Sequence, residues 1–126
     1  MEKRRVMIVD DEEHFLKITK INLEKTGKYE VETMSSAADI MSRVKSFNPD
    51  IILLDILMPG FDGIETCEML NNDPMGARIP IIILSALRGD ADRLKTFKSG
   101  VLDYLVKPVK TEELISKIEK HTQFMR

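Results

Sequence analysis

Three short apolar runs in this chain, Val6–Val9, Ile51–Leu54 and Ile81–Leu84, are continuous rather than alternating. Side chains on a strand point to opposite faces in turn, so an unbroken run predicts a strand buried on both faces. That condition is met in parallel sheets covered by helices above and below. Tyr29–Met34 behaves differently: Tyr, Glu, Val, Glu, Thr, Met alternate, which predicts an edge strand with one face in water. Leu102–Val106 supplies a fifth run.

Stretches with helical spacing separate the runs. Ala37, Ile40, Met41 and Val44 form an i, i+3, i+4, i+7 stripe, with Ser36 and Asp39 spaced as a capping box. Leu114, Ile115 and Ile118 follow Thr111, with Glu112 and Glu113 in the first turn, where the helix dipole favours acids. Glu13–Lys25 carries a broader apolar set (Phe15, Leu16, Ile18, Ile21, Leu23), which predicts a helix wedged well into the fold. Asp90–Lys98, with Ala91, Leu94 and Phe97, is the thinnest of these patterns. Five rounds of strand then helix, without linker or repeat, predict an open, doubly wound α/β fold on a parallel sheet. A length of 126 residues suits one domain spanning 1–126.

Charge and cysteine content narrow the function. Nineteen basic against twenty-one acidic residues leave a net charge of -2, so no field for a polyanion is present, and direct nucleic-acid binding by this domain is not expected. Cys67 is the one cysteine, which excludes an internal disulfide and a cysteine-based zinc site and fits a reducing cytoplasm. The apolar runs are too short to span a bilayer, and "MEKRR" enters a strand-like segment rather than a signal sequence, so no membrane association is expected.

In doubly wound folds, ligands bind beyond the carboxyl ends of the strands, where strand order reverses. Asp10 and Asp11 follow the first strand here, Asp55 the third, Ser85 the fourth and Lys107 the fifth. Three carboxylates side by side repel one another unless something positive joins them. An all-oxygen donor set without histidine or cysteine favours a hard cation such as Mg²⁺, which takes one or two carboxylates together with waters and a phosphate oxygen. Lys107 adds a point charge and Ser85 a donor for an oxyanion. Phosphoryl transfer needs mainly positioning and cations against oxygen charge, and an aspartate nucleophile gives a covalent acyl phosphate. The chemistry alone does not select among three aspartates. Asp55 is favoured because it stands singly on a central strand, while Asp10 and Asp11 form a chelating pair.

Four segments, each at a strand end, appear in order: "VDDEE" at 9–13, "LLDILMPGFDG" at 53–63, "LSA" at 84–86 and "DYLVKP" at 103–108. With them the chain resembles the receiver domain of bacterial two-component response regulators over essentially its whole length. The resemblance implies a flavodoxin-like fold with strand order 2-1-3-4-5 and five helices. It implies that Asp55 is the phosphoacceptor, with Mg²⁺ held by Asp11, Asp55 and the Leu57 carbonyl, and by Asp10 through water. It further implies that Ser85 and Lys107 contact the phosphoryl group, that Tyr104 is an aromatic switch, and that the Lys107–Pro108 peptide is cis. The implied donor is a sensor histidine kinase or a histidine phosphotransfer protein. A downstream protein or output domain would read the face formed by the fourth helix, fifth strand and fifth helix, and a phosphorylation-dependent dimer is allowed. Such a domain is a signalling phosphoacceptor rather than an enzyme.

Plainer readings stand beside these. Acids at a helix start can serve the dipole alone, "PGFDG" is turn chemistry with Asp62 as a helix cap, and Tyr104 by itself reads as a core tyrosine. His14 and His121 read as surface residues and Cys67 as buried and inert. Ala86 leaves room for a bulky donor, while Leu57 and Leu87 flank the site as apolar residues able to hinder a hydrolytic water. Two rivals remain: a small Mg²⁺-dependent phosphohydrolase with an aspartyl intermediate, and a binding module that keeps the fold without phosphorylation.

Overall fold

The computed structural model describes residues 2–58, 60–86 and 101–124. Five parallel strands form the main sheet: β1 (Arg4–Val9), β2 (Tyr29–Met34), β3 (Ile51–Asp55), β6 (Ile81–Ser85) and β7 (Asp103–Val106), in the order β2-β1-β3-β6-β7. Two further strands, β4 (Leu57–Met58) and β5 (Phe61–Asp62), pair antiparallel as a separate small hairpin. With the hairpin set aside, the order reads 2-1-3-4-5. Two-residue strands leave no periodicity in the sequence, so this hairpin is not among the expected elements. The described helices are α1 (Glu13–Glu24), α2 (Ile40–Phe47), α3 (Gly63–Asn72) and α4 (Thr111–Thr122), with a 3₁₀ turn at Gly76–Arg78. Four of the five expected α-helices fall among the described residues; the segment expected to form the other, Asp90–Lys98, lies outside them.

The continuous runs behave as two-sided strands. Met7, Val9, Ile52, Leu54, Ile81, Ile83 and Tyr104 project to one face, where Ile40 and Val44 of α2 and Cys67 and Leu70 of α3 cover them. The intervening residues Val6, Ile8, Ile51, Leu53, Ile82, Leu84 and Leu105 project to the other face, under Leu16 and Leu23 of α1 and Leu114 and Ile118 of α4. Period-two alternation within unbroken apolar strands therefore builds two cores, one on each side of the sheet. Each fully buried aliphatic side chain contributes about 1.5–3 kcal/mol relative to exposure. β2 lies at the sheet edge, with Tyr29, Val31 and Met34 buried and Glu30 in solvent.

Two helix expectations need correction. α1 is not buried on a broad face: Leu16, Thr19 and Leu23 pack inward, while Ile18 and Ile21 are 45% and 53% exposed. At 3.6 residues per turn, Ile18 stands roughly 200° around the helix from Leu16, so one helix cannot bury both against one sheet. At α2 the capping box is not made. The helix starts at Ile40, Asp39 makes no side-chain cap, and the Ser36 hydroxyl accepts from the Ala38 amide at 3.1 Å instead. Residues between Ser36 and Asp39 turn before the helix begins, which moves Ser36 away from the first helical amides.

Candidate functional site

The parallel register brings the carboxyl ends of β1, β3, β6 and β7 to one edge of the sheet. Asp10 follows β1, Asp55 closes β3, Ser85 closes β6 and Lys107 follows β7. The Lys107 amide donates to the Ser85 carbonyl at 3.0 Å, extending the β6–β7 pairing to the cleft. The Lys107–Pro108 peptide bond is cis.

Local hydrogen bonds then aim the acids. Asp10 is fully buried, and its Oδ1 accepts from the Glu12 amide at 2.9 Å. Asp55 is 4% exposed, and its Oδ1 accepts from the Leu57 amide at 2.9 Å. Each buried carboxylate is thus pinned by a backbone N–H two residues further on. Asp11 is exposed. One carboxylate oxygen from each of Asp10, Asp11 and Asp55 lies within 4.8 Å of the others.

Lys107 reaches into this acidic cluster. Its Nζ lies 2.7 Å from Asp10 Oδ2, 2.7 Å from Glu12 Oε1 and 3.2 Å from Asp55 Oδ2. The Asp10 contact is an ion pair, and Oδ2 has no hydrogen-bond partner besides it. Burial pushes the Asp10 carboxyl above the ordinary carboxylate range; Lys107 and the Glu12 amide oppose that shift without overcoming it. Burial works against the Lys107 ammonium too, but the Asp10 and Glu12 carboxylates, with Asp55 behind them, hold its pKa well above that of an ordinary lysine. A buried carboxylate oxygen without a directed partner, beside two more carboxylates, fits a hard cation. The cluster could hold a metal ion.

Ser85 is fully buried and Tyr104 is 9% exposed within the core beneath β7. Leu57 is 51% exposed at the start of the hairpin, and Ala86 is exposed beyond Ser85. Leu87 lies outside the described residues. The hairpin leads directly into α3, where Asp62 Oδ1 accepts from the Ile64 and Glu65 amides at 3.0 Å each, the cap expected of it. Gly63 sits so close to the strand-end turn that an added Cβ would lie 2.6 Å from the Ile56 Cα. Cys67 is fully buried, and burial pushes its thiol up to about 12, as suits an inert core residue.

Two features carry no clear signal in the sequence. Glu12 is one acid among four, with nothing in its spacing to pair it with Lys107. His121 is not a surface residue: its side chain is 14% exposed, and Nε2 lies 2.7 Å from Asp103 Oδ2, which Lys117 Nζ also approaches at 3.0 Å. Asp103 and His121 are 18 residues apart on different elements, and the packing of α4 on β7 brings them together.

The family model described as the response regulator receiver domain matches residues 6–119. Response regulator PleD of Caulobacter vibrioides is 35% identical over 120 residues, covering 95% of this chain and 26% of that protein. The phosphate regulon transcriptional regulatory protein PhoB of Rhizobium meliloti is 35% identical over 115 residues, covering 91% of this chain and 50% of that protein. This chain therefore spans between about a quarter and half the length of these relatives. Among solved structures, the Francisella response regulator 1452 receiver domain superposes with a TM-score of 0.88 at 27% identity, covering 98% of this chain and 100% of that one. A receiver domain protein from Methanospirillum hungatei gives 0.85 at 28% identity, covering 97% and 96%. The doubly wound sheet, with acids and a lysine gathered at its strand ends, is consistent with the receiver class that these matches define. This chain belongs to the response regulator receiver family. Among the described residues, no helix is long and apolar enough to cross a membrane.

Proposed function

We infer that this chain is a single receiver domain in which Asp55 is the phosphoacceptor, taking a phosphoryl group from a phosphohistidine on a sensor kinase or histidine phosphotransfer protein. The observation that carries the reading is Asp55 itself: a carboxylate ending the central strand, with one oxygen fixed by the Leu57 amide and the other 3.2 Å from the Lys107 ammonium. An Asp55 oxygen attacks phosphorus, a P–O bond forms, and the P–N bond breaks with its electron pair returning to the imidazole nitrogen. Lys107 and Ser85 balance charge on the transferred oxygens. Asp11, Asp55 and the Leu57 carbonyl, with Asp10 through water, would hold a Mg²⁺ ion, which would supply positive charge against the phosphoryl oxygens. Tyr104 and the β7–α4 face carry the readout to an output domain, a partner protein or a second copy of the chain.

A phosphohydrolase reading is weaker, because the described residues provide no lid over an exposed Leu57 and Ala86 to exclude water from a small substrate. The test is incubation with acetyl phosphate and Mg²⁺ followed by intact mass measurement. Wild type gains one phosphoryl group and Asp55→Asn gains none. A folded Asp55→Asn variant that still gains the mass would overturn the assignment.

A further inference from the structure

Glu12 precedes α1, in the position where a side chain ordinarily caps the first amides, yet it makes no capping hydrogen bond. Its carboxylate instead reaches Lys107, 95 residues away in sequence, at 2.7 Å. The Phe15 ring, one turn into α1, lies 5.1 Å from the same nitrogen. Lys107 is thus drawn toward the α1 side of the cleft. Its contacts to Asp10 and Glu12 are both shorter than its 3.2 Å contact to Asp55.

The two closer partners differ in what they can give up. Asp10 is fully buried and fixed through its other oxygen, so it cannot swing away from Lys107 into water. The Glu12 side chain is 62% exposed, so water can replace Lys107 at its carboxylate with little loss. An ammonium is a point charge with three N–H groups on a flexible stem. Contacts made to carboxylates of the resting cleft are withheld from a new phosphoryl oxygen.

We propose that Glu12 is a positioning residue: it tethers the Lys107 ammonium to the α1 side of the cleft and must release it before Lys107 can serve a phosphoryl group on Asp55. The proposal rests on Asp55 being the acceptor. Glu12 thereby slows phosphorylation, and the exposed tether is the releasable part of the Lys107 contacts.

The test compares the full chain with Glu12→Gln and Glu12→Asp. The first removes the charge. The second keeps the charge at the same backbone position but shortens its reach by one methylene. With acetyl phosphate at saturating Mg²⁺, both variants should be phosphorylated roughly three-fold faster than wild type, the factor expected for losing one exposed ion pair. In the metal-free protein, the ¹H–¹⁵N signal of the Lys107 ammonium should be protected from exchange in wild type and broadened in both variants. A Glu12→Asp variant that matches wild type would show that only the field of the charge matters and would overturn the tether. So would a Glu12→Gln variant no faster than wild type, or an unchanged Lys107 signal. Asp55→Asn separates the two readings: persistent phosphorylation there defeats the acceptor assignment, while the metal-free ammonium signal still judges the tether by itself.

Discussion

The carboxylate of Asp10 and the ammonium of Lys107 lie 2.7 Å apart, yet Asp10 remains harder to ionise than an ordinary aspartate because its side chain is fully buried. Its folded pKa is raised, so the proton favours the native state. The penalty of the ionised carboxylate is present above the folded pKa and disappears as pH falls below the unfolded value. Metal-free protein should therefore gain stability from this group as the medium is acidified from neutrality through that window. Asp10→Asn, which keeps an oxygen for the Glu12 amide, should melt at a higher temperature than wild type in chelator and should lose this part of the pH dependence. Mg²⁺ should raise the wild-type melting temperature along a saturable curve, because it binds the folded cleft and not the unfolded chain. Thermal melts in chelator and in graded Mg²⁺ check both statements.

Asp103 titrates in the opposite sense. Burial would raise its pKa, but hydrogen bonds from His121, Lys117 and the Tyr104 amide bring it down to about 2. Stability from this group is fully present above the ordinary value of 3.8 and is lost as pH falls through about 2. Asp103→Asn should cost on the order of 1–2 kcal/mol at pH 7 after allowance for solvent screening, and much less under strong acid. Urea unfolding at the two pH values measures the difference.

The two cores were legible because unbroken apolar runs leave no solvent face, and the site was legible because its acids and lysine stand at the ends of those runs. What stayed hidden depends on rotation and long-range packing. The apolar residues of α1 do not reveal from composition which of them point inward, so Ile18 and Ile21 read as core although they face water. Ser36 and Asp39 have capping-box spacing, but the chain turns once more before α2 begins. Asp103 with His121, and Glu12 with Lys107, are contacts between separate elements of ordinary local sequence.

Gly63 marks a steric limit beside the site. With a Cβ position 2.6 Å from the Ile56 backbone, Gly63→Ala must displace the turn that follows Asp55. The expected cost is about 1–3 kcal/mol, as for overpacking elsewhere, with slower phosphorylation of Asp55. Denaturant unfolding and acetyl phosphate kinetics on the same preparation test it.

Leu57 offers a test of phosphoryl lifetime. Its side chain is half exposed, two residues beyond the acceptor, where an apolar group can obstruct an attacking water. Leu57→Asn should shorten the acyl phosphate lifetime several-fold without preventing its formation. Decay of purified phosphoprotein in Mg²⁺ gives the comparison, and an equal or longer lifetime in the variant contradicts the role.

The central claim is that the phosphoryl group resides on Asp55. Borohydride reduces an aspartyl phosphate to homoserine, releasing phosphate and leaving a mark that survives proteolysis. Phosphorylated chain treated in this way should yield homoserine at position 55, with Asp10 and Asp11 unchanged. Homoserine at position 10 or 11, or an unreduced phosphoryl group on Ser85, would contradict the account.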